Sequence, residues 1–190
     1  MNNNKYLEKI AKNLSHLLNP ASLALMLFAG LGGYGGVGWR VGAMALYGLG
    51  PAFILLWLFR RGTISQLYLP ERLQRLRVLQ WGALYYGLCT GLLWLASAPA
   101  VVIAAGQGIC LMVVGVWLIN HFWKISIHAT GVGGSVAIAL SAGGPRLWPL
   151  LIAVPLIVWA RLYLRAHTVG QVLAGLILGA VSAWMTFGQG

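Results

Sequence analysis

Apolar stretches roughly as long as a bilayer is thick recur seven times along this chain, and their recurrence constrains the fold more than any other feature. They run at about 21–38, 41–59, 78–98, 101–119, 128–144, 148–164 and 171–188. A helix of about 20 apolar residues spans the hydrocarbon core, where every backbone polar group must be satisfied within the element. The sequence therefore predicts an all-α integral membrane fold, a single bundle of six to seven transmembrane helices over 21–190. Residues 1–20 read as a short amphipathic interfacial helix placed before it. Leu7, Ile10, Leu14, Leu17 and Leu18 recur there at helical spacing, Lys5, Lys9 and Lys12 fall between them, and Pro20 ends the pattern. The opening MetAsnAsnAsnLys lacks a signal-peptide core and is expected to be retained.

Composition excludes the alternatives. Hydrophobic residues make up 59% of the chain and charged residues 8%, with a mean hydropathy of +0.81, which a soluble globule does not need. Only Glu8 and Glu71 are acidic, so the formal charge is +11. A nucleic-acid surface would gather that charge on a soluble face. Here it lies between apolar runs, so the expected partners are membrane lipids and phosphorylated lipid substrates, with no nucleic acid. Cys89 and Cys110 both lie inside apolar runs and read as inert thiols, and no metal motif or cofactor signature is present.

Small residues suggest how the bundle packs. The first run is rich in glycine over 30–36 and is expected to pack tightly or be irregular. The fifth, with Thr130, Gly131, Gly133, Gly134 and Ser135, belongs at the bundle centre. Gly175 and Gly179 in the seventh form a small-xxx-small face, suited to a neighbouring helix, a second copy or a partner in a membrane complex. Pro155 predicts a kink midway along the sixth run. SerAlaProAla at 97–100 predicts a hairpin between the third and fourth.

Polar clusters punctuate these runs at 60–77, 124–128 and 161–171. Two runs separate each cluster from the next, so all three emerge on one membrane face together with the N-terminal helix. Eleven of the thirteen Lys and Arg residues lie on that face, and only Arg40 and Arg146 lie opposite. The positive-inside rule makes it the cytoplasmic face of an inner or plasma membrane. Charged groups are costly in hydrocarbon and invite a functional reading. Arg161 and Arg165 share a face if their helix continues to Leu164. ThrValGlyGln at 168–171 reads as a capping box, which sets His167 just outside a helix N-terminus, where an anion is favoured. Arg72 and Arg75 would share a basic face if 72–77 is helical. The clusters together suggest a phosphate site.

Those residues resemble the type 2 phosphatidic acid phosphatases. Arg161-x5-His167-x3-Gln171 is similar to that family's third motif, with Gln171 in place of its Asp. Ser126 and His128 resemble the Ser and His of the second, ProSerGlyHis, with Ile125 and Ile127 replacing Pro and Gly. Arg77 matches the arginine of the first, Lys-x6-Arg-Pro, with Pro70 at the Lys position and Val78 at the Pro position. Similar strings, His followed by Thr or Phe, two residues, Gln and Val, occur in dolichyl diphosphatases and glucose-6-phosphatases.

The resemblance implies a hydrolase of lipid phosphates or (poly)prenyl diphosphates that works through a phosphohistidine without a metal. His167 would be the nucleophile, His128 the acid, and Gln171 the group orienting His167. Arg161 and Ser126 would bind phosphate, together with Arg77, Arg72, Arg75 and Lys124. The same residues have plainer readings. Gln171 and Ser126 serve as helix caps, His121 and Trp123 as interfacial anchors, 60–77 as a positive loop, and His16 as a solvated residue on the surface helix. On those readings the chain is a non-catalytic membrane subunit that keeps a phosphatase-like scaffold and binds anionic lipid or partner helices.

Overall fold

Glycine and proline positions decide where the apolar runs break. The computed structural model describes residues 3–31, 36–64 and 72–188, and every regular element in them is helical. Helix α1 (Asn3–Leu17) turns into α2 (Pro20–Gly30) at Asn19. The Asn19 side chain accepts from the Ala21 and Ser22 amides, and Pro20 takes the first helical position, where no amide is needed.

The first apolar run is not one helix. It ends as α2 at Gly30, and the chain resumes helix at Gly36, whose φ of +80° suits glycine. Helix α3 (Gly36–Ala43), a π-helical turn (Met44–Leu49) and α4 (Gly50–Arg60) then form one rod. Arg40, expected at a turn, sits inside that rod. The π turn is clamped by α5 (Arg72–Leu95), on which Tyr85 Oη donates to the Leu46 carbonyl at 2.7 Å and Tyr86 Oη to the Tyr47 carbonyl at 3.3 Å. Gly32, Gly33 and Gly35, like Pro70 and Glu71, lie outside the described residues.

Helix α5 turns into α6 (Ala100–Asn120) at the expected hairpin, with Ser97 in the left-handed region at φ 53°. Helix α7 (Ile127–Gly143) follows and ends at Gly144, φ +75°. Pro145 and Pro149 then lack the amides that an α-helix requires, and Pro145–Ile152 winds as a 3-10 helix before α8 (Ala153–Tyr163). Pro155 therefore falls in the first turn of α8, where its missing N–H does no harm, rather than at a kink midway. Helix α9 (Val169–Phe187) closes the chain.

Four helical rods are long and apolar enough to cross a membrane: Gly36–Arg60, Ala100–Asn120, Pro145–Tyr163 and Val169–Phe187. Helices α2 and α7 are apolar but shorter. Large apolar side chains line the outside, Leu88 and Phe53 each 69% exposed and Leu95 85%, as a lipid-facing surface requires. The described residues are thus all-helical, with the lengths and apolar surfaces that a membrane protein needs.

Helix α7 is the centre, as its small residues predict. It packs on α9 at backbone contact: a Cβ at Gly133 would lie 2.5 Å from the Leu176 carbonyl oxygen, and one at Gly175 would lie 2.7 Å from that of Ser126. The Gly175 and Gly179 face is thus filled within the chain. This contact holds the N-termini of α7 and α9 side by side.

Candidate functional site

The N-terminus of α9 is built by local chemistry. Thr168 caps it in the predicted capping box: Thr168 Oγ1 accepts from the Gln171 amide at 3.4 Å, and Gln171 Oε1 accepts from the Thr168 amide at 3.2 Å. His167 Nδ1 lies 3.1 Å from the same Oε1. That oxygen can only accept, so Nδ1 carries the proton and Nε2 presents a lone pair. Gln171 is therefore both a cap and the partner that fixes the tautomer of His167.

Helix α8 stops just before this point. Arg165 adopts φ 49°, its amide donates to the Leu162 carbonyl at 2.9 Å, and the Ala166 amide donates to the Arg161 carbonyl at 3.1 Å. This left-handed closure reverses the chain and sets His167 back toward Arg161. It also removes Arg165 from the face expected to be shared. The helix ends at Tyr163, so Arg165 is exposed and Arg161 is buried.

Around His167 the structure gathers cations from three other segments. Burial is the main cause that lowers the His167 pKa to about 4, and the charge of Arg161 follows; the bond to Gln171 opposes both, and Lys124 and Arg75 lower it further. His167 is thus a neutral imidazole near pH 7. Lys124, in the α6–α7 loop, donates from Nζ to the Ala166 carbonyl at 3.1 Å and ties that loop to the α8–α9 loop. Its own pKa is lowered, by burial first and then by Arg75 and Arg161. His128, in the first turn of α7, lies within electrostatic reach of Arg161, His167 and His16.

The expected residues divide accordingly. His167, Gln171, Arg161, Lys124, Arg75 and His128 converge. Arg77 does not: it is exposed on α5, two residues and so more than half a turn from Arg75, which is half-buried. The α5 cation felt by His167 and Lys124 is Arg75. The side chain of Arg72 lies outside the described residues. Ser126 is fully buried, and its hydroxyl accepts from the Ala129 amide at 3.4 Å as the N-cap of α7. Its own amide donates to the Gln171 carbonyl at 3.2 Å, so it joins the two helix N-termini. His121 turns away and pairs through Nδ1 with the Trp117 carbonyl at 2.9 Å. Among the described residues no three or more His, Cys, Asp and Glu side chains gather as metal ligands.

One residue went unread in the sequence. Ser15 of α1, only 7% exposed, accepts a 3.3 Å hydrogen bond from Arg161 Nη1. Beside the cluster, a small apolar cleft runs between α2, α5, α6 and α7. Ile127, next to His128, and Leu79, one turn from Arg75, stand among its walls. No family model, curated protein or solved structure matches the chain.

Proposed function

We propose that this membrane protein is a metal-independent phosphohydrolase that acts on a lipid phosphate or (poly)prenyl diphosphate through a phosphohistidine. The observation that carries the reading is the convergence of His167, Arg161, Lys124, Arg75 and His128 at the joined N-termini of α7 and α9. A neutral imidazole with Nδ1 held by Gln171 presents Nε2 as nucleophile. Cations from three segments match the charge on the equatorial oxygens of a phosphoryl group in transfer.

The steps balance without an added reagent. Nε2 of His167 forms a bond to phosphorus while the bond from phosphorus to the lipid oxygen breaks. His128, in its imidazolium form, gives that oxygen its proton. Water then attacks phosphorus, the now neutral His128 takes a proton from that water, and phosphate leaves as the N–P bond opens. The lipid tail would lie in the cleft beside Ile127 and Leu79.

In this reading the chain crosses the bilayer seven times, with α1 lying in the interface. Seven crossings place all three polar clusters on one face, and the excess of Lys and Arg there makes it cytoplasmic. A second copy or partner helix would meet the open small-residue face of α5, where a Cβ added at Gly87 or Gly91 would meet nothing within 4 Å.

Purified protein, assayed with a phosphatidate and a prenyl diphosphate in the presence of EDTA, tests this function. Phosphate release lowered by His167→Ala and by His128→Ala is the expected result. Two observations favour a non-catalytic subunit instead: Ser126 is engaged as a cap and Arg77 faces away. Background rates in the wild type would decide for that second reading.

A further inference from the structure

Helix α1 divides into three sectors around its axis. Tyr6, Leu7, Ile10 and Leu17 are exposed, from 37% to 61%, and form an apolar sector that no part of the chain covers among the described residues. Lys5, Lys9, Lys12 and His16 form an exposed basic sector, with Glu8 bound to Lys12 at 2.6 Å. Between them runs a narrow buried strip of Ala11 and Ser15, continued by Leu18 just past the helix end. The two outer sectors suit the surface of a bilayer that carries anionic lipid. The strip is what holds α1 to the bundle.

That strip offers little apolar area: one methyl group, one hydroxymethyl group and one leucine. Hydrogen bonds add to it: Arg161 Nη1 donates to Ser15 Oγ at 3.3 Å, which reaches the site, and Tyr163 Oη donates to the Asn4 carbonyl at 3.3 Å. The Asn19 elbow fixes the direction of approach, since its side chain bonds both the His16 carbonyl and the start of α2.

We propose that α1 is a working wall of the anion site and that Ser15 is a positioning residue, holding the plane of the Arg161 guanidinium toward a phosphate. The proposal rests on the phosphate reading given above. Arginine recognises phosphate by a planar fork, so its plane must be set before the ligand arrives. Seating of α1 and occupancy of the site are then linked, and linkage is reciprocal: a bound phosphate tightens α1, and loosening α1 weakens phosphate binding.

The test uses the full chain in nanodiscs of phosphatidylcholine with phosphatidylglycerol, and orthophosphate as the probe. Calorimetry gives its affinity for wild type, Ser15→Ala and Ser15→Thr, and hydrogen exchange follows the amides of 11–18 with and without phosphate. Ser15→Ala is expected to weaken binding about tenfold, the scale of one hydrogen bond to a charged group. Ser15→Thr, which keeps the hydroxyl, should restore most of the affinity. Phosphate should slow exchange in α1 of the wild type and lose that effect in Ser15→Ala. Wild-type affinity in Ser15→Ala, or no rescue by Ser15→Thr, overturns the role of Ser15 and leaves the phosphate site standing. A wild type that binds no orthophosphate overturns the site and this inference with it.

Discussion

Gly175→Ala separates the helix contact on which the site depends from the site itself. The added Cβ would stand 2.7 Å from the Ser126 carbonyl oxygen, 3.1 Å from Ala129 Cβ and 3.2 Å from the Thr130 amide nitrogen. Two of these are backbone atoms and cannot rotate aside. Restoring an ordinary contact of 3.4 Å requires α7 and α9 to part locally by about 0.7 Å. Overpacking of this kind costs about 1–3 kcal/mol, against which alanine returns up to about 1 kcal/mol of helix propensity. A net loss of about 1–2 kcal/mol is expected. The parting also strains the 3.2 Å bond from the Ser126 amide to the Gln171 carbonyl, so the geometry around His167 should loosen with it. Gly42→Ala, where the new Cβ meets nothing within 4 Å, is the control and should be neutral or slightly stabilising. Denaturant unfolding in detergent, followed by tryptophan fluorescence, compares the two. If Gly175→Ala unfolds at the wild-type midpoint, the α7–α9 contact is not the rigid joint described above.

Further expectations follow from the site. An ordinary imidazole is half protonated at pH 6.5, whereas His167, at about 4, stays neutral and nucleophilic well below that. Hydrolysis should therefore persist as pH falls from 7 to 5 as far as His167 is concerned, and Arg161→Gln should move its acid limb upward by removing the second-largest cause of the lowering; an unmoved limb would exclude that influence. The linked stability has a definite sign: protons favour the unfolded state between pH 6.5 and about 4, so the contribution of His167 is lost as pH falls through that window. Gln171→Asp should leave the rate equal or higher, because a carboxylate stabilises the imidazolium form; a large loss would show that the capping amide itself is required. Cysteines placed at exposed Arg61 and Arg146 should be labelled from opposite sides of a membrane, position 61 from the cytoplasm, and labelling of 146 from the cytoplasm would reverse the orientation.

Local chemistry made some of this legible from sequence alone. The capping box at Thr168 and Gln171 needs only its four residues, and it forms as read. The central place of α7 follows from its small residues, because only small side chains allow backbones to approach so closely. The hairpin between α5 and α6 was marked by Pro99 and its small neighbours. Helical phase was harder. The choice of Arg75 over Arg77 depends on how α5 is rotated against α6 and the loop at Lys124, and no spacing within residues 72–77 records that. Arg161 and Arg165 looked paired because a helix was carried one residue too far, to Leu164; the left-handed closure at Arg165 uses a residue that does not advertise it. The division of the first apolar run at Gly30 was signalled as irregularity but not as a break. Ser15 was invisible because its partner is 146 residues away, although its place in the narrowest, smallest-residue strip of α1 was the one available sign.

Trapping the phosphoenzyme tests the proposed activity most directly. Full-length protein is mixed briefly with a lipid phosphate labelled at phosphorus, quenched in alkali, and mapped by mass spectrometry. A phosphoryl group on His167, stable in alkali and lost in acid, absent from His167→Ala and accumulating to a lower level in His128→Ala with a lipid ester, is the predicted result. Hydrolysis that proceeds at the wild-type rate in His167→Ala would contradict it.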